Sequence, residues 1–161
     1  MAIDSVMDRV DRAILAHLVA DSSITNVDLA ERVHLSPSTC LRRIRALERS
    51  GVIVGYHAEL NAEAMQQGFE VAVRIDLSGR DQATLEAFEA AVAVIDEIIH
   101  AQRMFGQPDY LLLVAVADKD AYEAVYMNRL TALPGVASVI SQYTMKTIKT
   151  RHSKSVPRCT A

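Results

Sequence analysis

The chain has 161 residues, half of them hydrophobic, with a formal net charge of -3 and a pI near 5.9. That length suits one domain or two small ones, and the hydrophobic content excludes global disorder. The acidic balance excludes a protein coated evenly in positive charge, but not a local basic face.

The charge is unevenly placed. Residues 1–62 carry seven Lys+Arg against eight Asp+Glu, 63–145 carry five against twelve, and 146–161 carry five against none. Cys40 lies in an apolar helical pattern and is expected to be a buried small hydrophobe, while Cys159 lies in a polar tail. Neither belongs to a CxxC pair, so no disulfide framework or zinc ribbon is expected. No apolar run reaches the ~18 residues of a membrane-spanning helix. Met1-Ala2-Ile3-Asp4 has an acid where a signal peptide carries basic residues, which predicts a cytoplasmic protein with no membrane partner.

In chain order, residues 8–20 (DRVDRAILAHLVA) place Val10, Ile14, Leu15 and Leu18 at helical spacing. After Asp21-Ser22-Ser23, Thr25 is a suitable N-cap with Asp28 at N3, opening a helix that buries Val27, Leu29, Ala30 and Val33. A break at His34-Leu35 precedes a third helix, capped by Ser36 with Pro37 at its first position. Its inner stripe is read as Cys40, Leu41, Ile44 and Leu47. Ser50-Gly51 ends it, with Gly51 in the left-handed position. Val52–Tyr56 reads as a strand or wing, and 61–68 as a short linker.

Beyond residue 68 the periodicity changes. Residues 69–77 alternate as a strand. A helix over 81–97 turns Leu85, Phe88, Val92 and Ile95 inward. Strands follow at 98–105 and 109–117, then a helix over 120–133 stopped by Pro134-Gly135, then a long strand over 136–149. Strand–helix–strand–strand–helix–strand is the split βαβ order of ferredoxin-like folds. The fold class is therefore α+β, with domains over 1–60 and 69–150 and a basic tail over 151–161.

Two helices joined by a tight break read as a helix-turn-helix. The third helix points Ser38, Thr39, Arg42, Arg43, Arg45 and Arg49 outward. Duplex DNA suits such a face: arginines neutralise phosphates and bind guanine edges, and short hydroxyls such as Ser36 and Ser38 at the helix start reach phosphates. Free N–H groups there also favour a phosphate. A solvated helix face with Glu48 pairing locally accounts for the arginines alone. The three helices, the capped start, the arginine run and the following wing together favour DNA.

These residues, with "DRVDRAILAHL" (8–18), "LSPSTCLRRIRALERSGVIVGY" (35–56), "GQPDYLL" (106–112) and "LPGVASV" (133–139), resemble the Lrp/AsnC family of bacterial and archaeal regulators over roughly 1–150. The resemblance implies a winged helix-turn-helix joined by a hinge strand to a ferredoxin-like effector and assembly domain, the RAM domain. It implies dimers, octamers or larger discs, and an amino acid or related small molecule as effector rather than a cofactor.

The sheet itself points to self-association. Strand 109–117 is apolar on both sides (Leu111, Leu112, Leu113, Val114 and Val116), and pairing of sheet faces in a dimer covers the side a monomer leaves wet. The Gly106-Gln107-Pro108-Asp109-Tyr110 segment has two readings. One is a hairpin turn with Asp109 capping its own backbone. The other is a ligand site in which Asp109 takes an ammonium group and nearby N–H groups take a carboxylate. The resemblance favours the second, because the segment matches the family's Gly-x-x-Asp effector loop. Pro108 departs from the aromatic residue many members carry there, implying a pocket of altered shape. By position, Gln142, Tyr143 and Thr144 match residues linked to effector response in the family, while ordinary strand alternation also accounts for them.

The remaining features carry less chemistry. His17, His34, His57, His100 and His152 lack metal-ligand spacing. Met104, Met127 and Met145 read as core or interface filler. No Gly-rich phosphate loop or GxSxG motif is present, so no enzyme is expected. Lys146, Lys149, Arg151, Lys154 and Arg158 are open to three readings: a DNA contact, a contact to an acidic neighbour, or a frayed end. The expected function is a nucleoid-associated, DNA-binding transcriptional regulator tuned by an amino acid. Two alternatives stand beside it: a metabolite-binding module with a protein-interaction head, and an architectural DNA-wrapping protein.

Overall fold

The computed structural model describes residues 7–146 and 148. The chain divides between Glu59 and Leu60 into two compact units. The first holds α1 (Arg9–Ala20), α2 (Asn26–Arg32) and α3 (Pro37–Arg49). Each start is capped as local chemistry dictates: Asp8, Thr25 and Ser36 accept from the N–H of Asp11, Asp28 and Thr39. Ile14, Leu29, Ala30, Cys40, Ile44 and Leu47 form the core. Two residues read as inward are not: Val27 is 54% and Leu41 38% exposed. Both lie on the margins of their helices' apolar stripes, where periodicity separates the faces least sharply.

The turn between α2 and α3 closes as a Schellman motif. His34, at φ 55, donates its N–H to the Glu31 carbonyl, and Leu35 donates to Ala30 at 2.9 Å. The Asn26 amide also donates to the Pro37 carbonyl at 2.9 Å, fixing one helix against the next. A second Schellman motif ends α3, with Gly51 and Val52 donating to Glu48 and Leu47.

No strand forms between Val52 and Gly68, which corrects both the strand read over 52–56 and the hinge strand. Val52 and Ile53 instead pack on the head core, and both their N–H groups donate to the Leu47 carbonyl. Residues 61–67 make a turn capped by Asn61, whose side chain accepts from the Ala64 N–H. With its N–H groups spent locally or unpaired, this segment has no ladder to join.

The second unit runs β1 (Phe69–Leu77), α4 (Gln82–Val92), β2 (Ile98–Arg103), β3 (Tyr110–Val116), α5 (Lys119–Asn128) and β4 (Val136–Tyr143). The sheet is antiparallel throughout, in the order β2-β3-β1-β4 of the ferredoxin-like arrangement. Val71, Val73, Ile75 and Leu77 alternate toward a core shared with Leu85, Phe88, Leu112, Val114, Val125 and Leu130. Ile95 packs there too, from the turn after α4.

The second long helix ends early, at Asn128, and a 3₁₀ turn over Leu130–Ala132 completes the segment. The last strand ends at Tyr143 rather than at 149. Lys149, Arg151, Lys154 and Arg158 lie outside the described residues; Lys146 is exposed. Met104, Met127 and Met145 are exposed, so none of them fills the core.

Gly135 sits at φ +70, and a Cβ there would meet Thr84 Cγ2 at 2.7 Å. Gly135→Ala is therefore expected to lower the stability of the second unit by about 1–3 kcal/mol through combined backbone and packing strain, measured by denaturant unfolding. An unchanged midpoint would show that the turn relaxes freely.

Candidate functional site

The surface of α3 opposite the head core carries Ser38, Arg42, Arg45 and Arg49, all exposed. At about 100° per residue these four fall on one stripe, with Cys40, Ile44 and Leu47 on the opposite side. Among the described residues, no ion pair engages Arg42, Arg45 or Arg49. At the helix start Ser36 accepts from the Thr39 N–H at 3.3 Å and donates its hydroxyl to Thr39 Oγ1 at 2.8 Å. Its oxygen also lies 3.2 Å from Ser38 Oγ. The three hydroxyls thus form one cluster at a capped helix N-terminus. Glu48 is turned away from the arginine stripe, accepting from the Tyr56 hydroxyl at 2.9 Å.

Arg43 does not stand with the others. Its side chain is only 27% exposed, and its Nη1 reaches Asp8 at 2.7 Å and Asp11 at 2.8 Å. The outward reading of Arg43 is corrected: the residue follows Arg42 by about 100°, just over a quarter of a turn around the helix, and faces α1. The Asp11 backbone N–H, and then the Arg43 guanidinium, hold the Asp8 carboxyl below its ordinary range. The two aspartates at the α1 start were the missed signal, because a capping box of two acids presents a paired negative target.

In the second unit the β2–β3 hairpin borders a cavity of about 570 Å³ lined by Arg80, Leu85, Arg103, Met104, Phe105, Gly106, Gln107, Asp109 and Tyr110. Gly106 takes φ +120, a conformation that side chains rarely adopt, and the Gln107–Pro108 peptide is cis. Asp109 is buried at 6% exposure. Its two oxygens accept from the Leu77 N–H at 2.9 Å and from Arg80 Nε at 2.5 Å. Arg80 and then the Leu77 N–H hold its pKa below the usual carboxylate value.

Both Asp109 oxygens are thus engaged within the chain. This corrects the reading in which it caps its own turn, and it gives the carboxylate a bracing role in place of a free ammonium acceptor. Burial, then the hydroxyl's bond to Glu89 at 2.7 Å, pushes Tyr110 up to about 12. Arg103 lies 3.7 Å from Glu89. Arg80 and Arg103, each more than half exposed, bring positive charge to the cavity. Neither was singled out from sequence, since an isolated arginine in a loop and one on an edge strand carry no pattern.

Pro108 does not line the cavity. Gln142, Tyr143 and Thr144 lie at and just beyond the end of β4, on the sheet edge opposite β2, so one chain does not bring them to the hairpin. Tyr143 stacks on Phe69 at 4.8 Å, and the Thr144 N–H donates to the Glu70 carbonyl. Among the described residues, no group of three His, Cys, Asp or Glu is placed to hold a metal, and no helix is long and apolar enough to cross a membrane.

Comparison with known proteins bears on both units. Residues 7–54 match the winged helix-turn-helix DNA-binding family, and residues 70–153 match the Lrp/AsnC ligand binding domain. The chain is 41% identical over 143 residues to the leucine-responsive regulatory protein of Salmonella typhimurium, covering 89% of this chain and 87% of that one. It is 40% identical, with the same coverage, to the Escherichia coli protein of that name. Among solved structures, a Neisseria meningitidis transcriptional regulator in complex with L-Met superposes with a TM-score of 0.85 at 34% identity, over 94% of this chain and 97% of that one. An AsnC family regulator from Agrobacterium tumefaciens gives 0.84 at 35% identity with the same coverage.

The Asp109 bonds set a pH dependence. Its folded pKa is depressed, so its contribution is fully present above the unfolded value of about 3.9 and is lost as pH falls through the folded one. Asp109→Asn is expected to flatten the loss of stability of the second unit below about pH 4, followed by thermal unfolding across pH. An unaltered profile would mean that the carboxylate does not brace the hairpin.

Proposed function

The chain belongs to the Lrp/AsnC family of DNA-binding transcriptional regulators, and from that premise we propose that it contacts duplex DNA through Ser36, Ser38, Thr39, Arg42, Arg45 and Arg49. The family acts by binding DNA and amino acid effectors, not as enzymes. The observation that carries the assignment is the stripe of exposed arginines on α3, directly opposite the head core and free of ion pairs among the described residues. Arginines held this way are available to neutralise phosphates and to meet base edges, while the hydroxyl cluster and helix start suit a phosphate.

The hairpin cavity is the effector site in this reading. Arg80 and Arg103 offer charge for a carboxylate, and Leu85, Met104 and Phe105 offer apolar surface. Gly106, Gln107, Asp109 and Tyr110 shape that site, with Pro108 setting the turn beside it. The ligand class is an amino acid with an apolar side chain, a reading supported by the L-Met bound to the Neisseria relative and by the leucine response that names the curated relatives. Gln142, Tyr143 and Thr144 reach an effector only from another copy.

Self-association covers the sheet face away from α4 and α5. That face carries Ala72, Leu111, Leu113 and Ile140, and it holds two buried polar atoms without a partner, Arg74 Nε and Asp76 Oδ1. A dimer of paired faces is the proposed unit, with the octamer as the larger assembly and the nucleoid in the cytoplasm as its place of action.

The test is a gel shift on the gene's upstream region across a salt series, with and without L-Leu or L-Met. Arg42→Ala, Arg45→Ala and Arg49→Ala are each expected to weaken binding, and removing one phosphate partner should reduce the slope of log K against log salt by about 0.9. Either amino acid should shift the wild-type midpoint. Wild-type affinity and slope in all three variants would overturn the assignment of this face.

A further inference from the structure

The Arg43 ion pairs are built into the start of α1. The Asp8 and Asp11 carboxylates each divide their oxygens between two tasks. Asp8 Oδ1 accepts from the Asp11 N–H at 2.8 Å, and Asp11 Oδ2 accepts from the Asp8 N–H at 3.3 Å, closing the capping box. The other oxygen of each, Asp8 Oδ2 and Asp11 Oδ1, receives Arg43 Nη1 at 2.7 and 2.8 Å. One nitrogen of α3 thus bridges the two residues that begin α1. We infer that Arg43 is a positioning residue for DNA recognition: it fixes the rotation of α3 about its own axis, and so the aim of the arginine stripe, without touching DNA itself. This rests on the α3 reading above.

On α3 the head core takes Cys40, Ile44 and Leu47, which hold the helix from its apolar side alone. Apolar burial at Ile44 and Leu47 is non-directional, whereas the Arg43 bridge lies on the flank, where a roll stretches it directly. At a helix radius of about 5–6 Å, a roll of about 10° displaces side-chain ends by about 1 Å. That exceeds the ~0.5 Å within which a binding constellation must be held.

The way Arg43 is used separates this role from a DNA contact. Arginine recognises guanine through a rigid planar fork of donors, whose geometry a lysine ammonium lacks. In the bridge to α1 a single nitrogen serves both carboxylates, while Nε is buried without a partner. A lysine ammonium, a compact charge with three donors, meets the same need. Lysine at this position therefore restores a strut and is a poorer match for a forked base contact.

The experiment uses the full chain with two duplexes: the sequence that wild type enriches from a randomised pool, and a scrambled control. Arg43→Ala and the Asp8→Asn/Asp11→Asn double variant are each expected to lose about tenfold or more on the enriched duplex. Both should keep wild-type affinity on the scrambled one and an unchanged salt slope. Arg43→Lys is expected to recover affinity to within about threefold. The specificity ratio is the informative quantity, because a purely structural loss lowers both affinities together. Three results overturn the inference: a salt slope lowered by about 0.9 per head in Arg43→Ala, failure of lysine to rescue, or an unchanged specificity ratio. Arg45→Ala runs beside them: no effect there on affinity or slope overturns the α3 reading itself, a failure distinct from that of Arg43.

Discussion

The rotation of α3 is the constraint on which the DNA-facing half of the molecule depends. A helix displays a different residue about every 100°, so fixing its rotation decides which side chains face solvent and which face the protein. Cys40, Ile44 and Leu47 set that rotation from the apolar side, the Schellman turn at His34 and the Asn26–Pro37 bond set the entry, and Arg43 pins the flank. Ser38, Arg42, Arg45 and Arg49 are exposed together as a consequence. An acidic chain is compatible with a nucleic-acid partner for the same local reason. At physiological salt, charge is screened over about 8 Å, so the arginines presented locally count for more than the net charge of -3. Most of the acidity belongs to 63–145, outside the head.

The second unit separates holding from binding. Asp109 resembles a ligand contact by residue type, but both its oxygens are occupied by Leu77 and Arg80. Buried carboxylates are stable only when paired in this way. Asp109 therefore ties the loop after β1 to the start of β3 and holds one edge of Arg80, whose remaining donors are left for the cavity. Tyr110 does the same on the helix side through Glu89. The hairpin is in this respect a braced frame around a space whose exposed charges come from arginines outside the Gly-x-x-Asp loop.

Much of this was legible in the chain. The three helices, with the Thr25 and Ser36 caps of the second and third, follow from apolar periodic runs and the residues just ahead of them, and the sheet follows from the strand–helix–strand–strand–helix–strand order. The differences share a physical origin. Val27, Leu41 and Arg43 lie on helix flanks, where a two-way division into inside and outside has no answer and only the neighbouring helix decides. Of the apolar run that begins at Val52, only Val52 and Ile53 pack on the head core, and the residues that follow find no ladder partner within the chain, so no hinge strand forms there. The last strand ends at Tyr143, with one further bond from the Thr144 N–H to the Glu70 carbonyl near the start of β1, so it is shorter than its pattern. The cavity arginines were invisible because Arg80 and Arg103 come together only through the fold.

A structure of the protein bound to its enriched duplex tests the central claim most directly. Arg42, Arg45 and Arg49 are expected within hydrogen-bonding distance of phosphates or base edges, while Arg43 Nη1 stays on Asp8 and Asp11. An Arg43 guanidinium turned into the groove, with the two aspartates released, would contradict it.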